Sequence, residues 1–138
     1  MLARWAYIST NRLKAADIEE RIQQIVNVSV PRNRALNVTG ALLFTGRRFA
    51  QYLEGEPSAI DELRASILRD PRHEDVRTIA SGAYSHRFFV TWSLAYTGPS
   101  QFVAEIVDRS LNDTLEKGDV SIHALVQILS EFSIGGRG

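Results

Sequence analysis

Cysteine is absent from the 138 residues, which excludes a disulfide framework and any thiolate metal site. An excess of either charge is absent as well. Lys plus Arg and Asp plus Glu number 16 each, so the electrostatic footprint of a nucleic-acid binder is missing. No apolar run approaches the roughly 20 residues that span a bilayer, and the opening MLARWAYIST lacks the long apolar core of a signal peptide. These absences predict a cytoplasmic protein without nucleic acid or membrane among its partners. The 3 histidines, His73, His86 and His123, have no metal-ligand spacing, and no Gly-rich phosphate loop is present. Glu54 and Glu56 read as a solvated strand end rather than an acid–base pair. Nothing here suits a hydrolytic enzyme. Low complexity is confined to the tail Gly135-Gly136-Arg137-Gly138.

What is present centres on Asn33 to Gly55, NRALNVTGALLFTGRRFAQYLEG. A small apolar run from Val38 to Thr45, a turn at Gly46-Arg47-Arg48 and a second run from Phe49 to Glu54 predict a β-hairpin closed by Gly55. Alternation puts Phe49, Gln51 and Leu53 on one face and Ala50, Tyr52 and Glu54 on the other. Gln51 therefore sits between two large apolar neighbours. Its amide has two N–H donors and one carbonyl, and leaving them bare when buried costs roughly 1–3 kcal/mol. Either the side chain is partly exposed and bonds nearby backbone, or it meets a ligand; the alternation leaves both open.

Before the hairpin, Leu2 to Ser9 reads as a strand with Trp5, Tyr7 and Ser9 on one face. Asp17 to Val30 carries Ile18, Ile22, Ile25 and Val26 at helical spacing, and Pro31 ends that helix. After the hairpin, Pro57 and Ser58 open a second helix to about Leu68, with Ile60, Leu63, Ile67 and Leu68 as its buried stripe. Asp70-Pro71-Arg72-His73 breaks it. Val76 to Tyr84 reads as a less regular strand and Phe88 to Tyr96 as a stronger one, with Trp92 and Leu94 on one side. This order predicts an α+β domain, a ferredoxin-like five-stranded mixed sheet with two helices on one face. The other face, carrying Ile8, Tyr52 and Leu42 or its hairpin neighbours, needs cover. Two amphipathic stripes, Phe102 to Leu111 and Ile122 to Phe132, separated near Gly118, predict two C-terminal helices that pack there or build a dimer.

Asn33, Val38-Thr39-Gly40 and Phe49-x-Gln51-x-Leu53-Glu54-Gly55 together resemble the signature of BLUF domains, blue-light sensors that use a flavin. Further agreement lies in Arg4-x-x-Tyr7-x-Ser9, Asp70-x-Arg72-His73 and Arg87-x-Phe89-x-x-Trp92-Ser93. The resemblance runs from about Leu2 to Tyr96. It implies a sensor domain over 1–97 followed by a helical extension over 98–138, with FAD or FMN held non-covalently between the two helices. Asn33 and Arg32 would bond the polar edge of the ring, Ile25 and Ile67 would sandwich it, and Asp70 and His73 would lie towards the ribityl and phosphate end. Tyr7 and Gln51 would be the photoactive pair, their rearrangement appearing as a red-shifted absorption band. Trp92 or Leu94 would approach Gln51, with Leu94 standing where methionine is common in the family. Without the resemblance, Ile25 and Ile67 read as core residues and Tyr7 as a buried aromatic with a satisfied hydroxyl.

The resemblance further implies a photoreceptor rather than an enzyme. Its signal would pass through the last strand and the C-terminal helices to an effector protein, and the chain would form a homodimer or higher homo-oligomer. Two other readings stand beside it. One is an acylphosphatase-type enzyme gripping its substrate with Arg32 and Asn33, and the other is a light-independent interaction module.

Overall fold

The computed structural model describes residues 1–12, 17–45, 47–71, 73–96, 109, 112, 116, 125–127 and 129. The elements are β1 (Leu2–Asn11), α1 (Ile18–Ala35), β2 (Thr39–Phe44), β3 (Arg48–Gly55), α2 (Pro57–Leu68), β4 (His73–Tyr84) and β5 (Trp92–Tyr96). They form an α+β fold around one sheet of order β4-β1-β3-β2-β5. β1 runs antiparallel to both β3 and β4, β2 is antiparallel to β3, and β5 lies parallel to β2. Side-chain alternation then separates two apolar layers. Trp5, Tyr7, Leu42, Phe44, Phe49 and Leu53 face Ile22 of α1 and Ala59, Ile60 and Leu63 of α2. Ala6, Ile8, Ala41, Leu43, Ala50 and Tyr52 face the other way, where Leu125 and Leu129 pack on them with no exposed surface. Both helices thus share one face, and a C-terminal helical segment at 125–127 and 129 covers the other. Arg109, Asn112 and Glu116 are helical as well; the rest of the expected C-terminal helices, the turn residue Gly46 and the Gly-rich tail lie outside the described residues.

Three expectations about the elements need correcting, and one left open, Leu42 or its neighbours, is decided. Pro31 does not end α1, which continues to Ala35. A proline inside a helix forfeits one backbone hydrogen bond and costs about 3 kcal/mol. The last turn offsets this through Arg32 and Arg34 at the negative end of the dipole. Asn37 sits beyond it in the left-handed region at φ 54°, donating its N–H to the Arg34 carbonyl at 3.1 Å. Leu68 is 53% exposed rather than part of the buried stripe of α2. Leu42 faces the helices, and its neighbours Ala41 and Leu43 line the back. The last strand starts at Trp92, not Phe88, because the amides of Phe88 and Phe89 are taken by the Glu54 carboxylate and are lost to the ladder.

Candidate functional site

An open cleft lies between α1, α2 and the helix-facing side of the sheet, with about 650 Å³ of space when the solvent at its mouth is included. α1 contributes Ile25, Val28, Ser29, Arg32 and Asn33, which recur at helical spacing and so face one way. Extension of α1 past Pro31 is what brings Arg32 and Asn33 into this row. α2 and the residues after it contribute Leu63, Ser66, Ile67 and Asp70. Among the described side chains of α1, Ile22 and Asn33 are the buried ones, so this helix packs thinly on the sheet. Arg32 Nη1 donates to Ser66 Oγ at 3.3 Å and so bridges the two helices at one point of the cleft.

Tyr7 and Gln51 stand directly opposite each other across β1 and β3. Gln51 Nε2 donates to Tyr7 Oη at 2.7 Å, and Trp92 Nε1 donates to Gln51 Oε1 at 3.1 Å. The indole N–H can only donate, so it fixes the amide with its oxygen towards β5 and its nitrogen towards Tyr7. Trp92 is paired with Gly40 in β2, where no side chain stands between the indole and β3. Trp5 packs on Tyr7 with ring centres 4.6 Å apart and donates its own Nε1 to Thr78 Oγ1 at 3.0 Å, which locks the rear of the phenol ring.

Asn33 is 2% exposed, yet its Oδ1 has no hydrogen-bond partner among the described residues, and neither has Arg32 Nε. Buried polar atoms are nearly always paired. Two such atoms on the wall of one cleft therefore mark where a ligand with polar groups would sit. Facing Ile25 and Ile67, both half-buried, supply apolar surface for a flat ring.

Of the residues expected at the site, Tyr7, Ile25, Arg32, Asn33, Gln51, Ile67 and Asp70 line this cleft, and Trp92 reaches it through Gln51. His73 and Leu94 have backbone in β4 and β5, and their side chains lie outside what is described. Ser29 and Ser66 were missed. Their signal was positional: each falls on the inward row of its helix, between residues already chosen. Glu54, expected at a solvated strand end, is instead 1% exposed.

Among the described residues no helix is long and apolar enough to cross a membrane. The chain is 31% identical over 93 residues to the photoactivated adenylate cyclase subunit alpha of Euglena gracilis, an alignment that covers 67% of this chain and 9% of that protein. It is thus similar to a small part of its curated relative. Among solved structures, the dark state of BlrB, a BLUF protein, superposes with a TM-score of 0.73 at 32% identity, covering 91% of this chain and 94% of that one. The photo-activated state of BlsA gives 0.75 at 21% identity over 94% of each chain and shows likeness of fold. Residues 2–95 match the profile of the family described as sensors of blue-light using FAD, and the chain belongs to that family, BLUF.

Proposed function

We propose that the cleft holds the isoalloxazine ring of FAD or FMN without a covalent bond, and that blue light is read through Tyr7, Gln51 and Trp92. The observation that carries this reading is the unbroken chain Tyr7–Gln51–Trp92 along the floor of a cleft whose wall bears Asn33 Oδ1, without a partner among the described residues. Asn33 and Arg32 would bond the polar edge of the ring, Ile25 and Ile67 would flank it, and Asp70 and His73 would face the ribityl and phosphate end. When bound, flavin supplies absorption in the blue and a strongly oxidising excited state.

The protein's part is a set of hydrogen bonds with two arrangements. Tyr7 Oη accepts from Gln51 in the arrangement seen, and its phenol can release an electron and a proton and take both back. If the Gln51 amide ends rotated, its NH₂ faces the Trp92 indole N–H; if it ends tautomerised, its Oε1 hydroxyl does so when the O–H points at the indole. Two donors cannot share a bond, so Trp92 must let go. β5, at the sheet edge, is where that release is felt, and the C-terminal helical segment behind the sheet is the route to an effector protein. Population shift is the currency of such a signal. The full proposed architecture is the ferredoxin-like five-stranded sheet with two C-terminal helices behind it, spanning a sensor over 1–97 and an extension over 98–138. The proposed assembly is a homodimer or higher homo-oligomer in the cytoplasm. Neither the acylphosphatase-type reading nor the light-independent module gains support from the family match.

Tyr7→Phe removes the acceptor of the Gln51 amide and leaves the cleft walls intact. The variant is expected to keep bound flavin and to lose the light-induced red shift of its absorption band; a normal shift would remove Tyr7 from this role.

A further inference from the structure

Glu54 has no part in the scheme above, yet it is a carboxylate with 1% of its surface exposed at the end of β3. Its Oε1 accepts from the Phe88 amide at 2.8 Å, and its Oε2 accepts from the amides of Phe88 and Phe89 at 3.0 and 2.7 Å. Thr39 Oγ1 donates to Oε2 at 3.3 Å and itself accepts from Arg87 Nη1 at 2.7 Å. Arg87 also donates to the main-chain carbonyls of Glu54 at 3.1 Å and Asn37 at 2.9 Å. Burying a carboxylate is costly unless hydrogen bonds replace its water. Here two of the replacements come from main-chain amides in the segment between β4 and β5. That segment continues through Thr91, whose carbonyl accepts from Gly40 at 3.1 Å, into Trp92.

β3 therefore grips one stretch of chain at two places, by its main chain at Glu54 and by the indole of Trp92 at Gln51. We infer that Glu54 is a positioning residue, which holds the Phe88 and Phe89 amides and thereby sets the reach of the Trp92 indole to Gln51 Oε1. The role rests on the proposed reading of Gln51 as the amide that switches. Under it, the Glu54 end stays fixed while the Gln51 end is released, so that Trp92 swings from an anchor rather than carrying the whole segment away.

The chain has 2 tryptophans, which makes the test direct. In ¹⁵N-labelled protein with FAD bound and kept dark, the indole N–H of Trp92 reports the Gln51 bond. That of Trp5, bonded to Thr78, is an internal reference. Glu54→Gln sets an amide NH₂ where a carboxylate oxygen received a main-chain donor, and Glu54→Ala removes every acceptor. Solvent exchange at the Trp92 indole is expected to rise about tenfold in both variants, in line with loss of a charge-assisted bond, with Trp5 exchange unchanged. Unchanged Trp92 exchange would overturn the inference. Equal acceleration at both indoles would overturn it too, since Glu54 would then be a general stabiliser. Because the comparison is made without illumination, its failure is distinct from failure of the photoreceptor reading, which would show as a missing light-induced shift in the unmodified protein.

Discussion

Asn33 Oδ1 is buried beside the cleft with no hydrogen-bond partner among the described residues, a state that costs about 1–3 kcal/mol. A ligand N–H that meets it recovers this cost. Asn33→Ala is therefore expected to weaken FAD binding about 10- to 100-fold, measured by titrating apoprotein with FAD; an unchanged Kd would take Asn33 out of the site. Tyr52 is a contrasting residue, on the face of the sheet opposite the cleft. Its hydroxyl is also buried; the Arg4 guanidinium lies within reach of it, but no side chain among the described residues meets it in good hydrogen-bond geometry. Burial, reinforced by the Glu54 carboxylate, pushes its pKa well above the usual phenol value, and the guanidinium of Arg4 nearby pulls partly back. A folded pKa above the unfolded one means stability that is fully present below about pH 10, the ordinary phenol value. It is lost as pH climbs from there towards the folded value. Tyr52→Phe removes both the orphan hydroxyl and the alkaline loss. Urea unfolding is expected to show a gain of about 1 kcal/mol at neutral pH and a flatter stability profile above pH 10; a loss of stability at pH 7 would mean that the hydroxyl is paired after all.

At the scale of elements, Gly40 decides whether β2 and β3 can pair. Its φ of 148° is rarely adopted by other residues, and a Cβ there would lie 1.8 Å from the Tyr52 carbonyl oxygen. Gly40→Ala is expected to cost about 3 kcal/mol or more, read as a lower Tm and weaker flavin retention; a Tm within a degree or so of the parent would show that the hairpin relaxes freely. The hairpin was legible because period 2 is written in its apolar residues, and both helices on one face followed from the handedness of the crossovers, whereas the Tyr7–Gln51 pairing was legible only through the resemblance to BLUF domains. What was not legible depended on contacts distant in sequence. Pro31 looked like a stop because local chemistry disfavours it inside a helix, and the Asn37 cap that rescues the last turn acts from beyond it. Glu54 looked solvated because a carboxylate near a strand end usually is. Its partners lie more than thirty positions downstream, and they also delay the start of β5. Ser29 and Ser66 were overlooked because a small polar residue in an apolar row resembles an interruption until the row is seen to line a cleft.

For the molecule as a whole, the sheet is a partition with the cleft proposed to hold flavin on one side and a C-terminal helical segment on the other. Leu125 and Leu129 are fully buried against Ala6, Ile8, Ala41, Leu43, Ala50, Tyr52 and Ile79. Leu125→Ala is expected to destabilise the fold by about 2–5 kcal/mol, seen in urea denaturation of flavin-loaded protein. A loss below about 1 kcal/mol, less than a single Ile→Val change can cost in a core, would mean that the C-terminal segment is a loose cover. The partition also explains how a rearrangement at Gln51 could be noticed at a distance. Trp92 sits on the edge strand and is joined to both the Gln51 amide and, through Glu54, the end of β3.

Absorption spectra of the purified protein loaded with FAD, recorded in the dark, under blue light and again after return to darkness, test the central claim most directly. The protein is expected to be yellow, with a flavin band that moves to longer wavelength on illumination and moves back afterwards. Failure of the protein to retain FAD, or a retained flavin whose band stays in place under blue light, would contradict it.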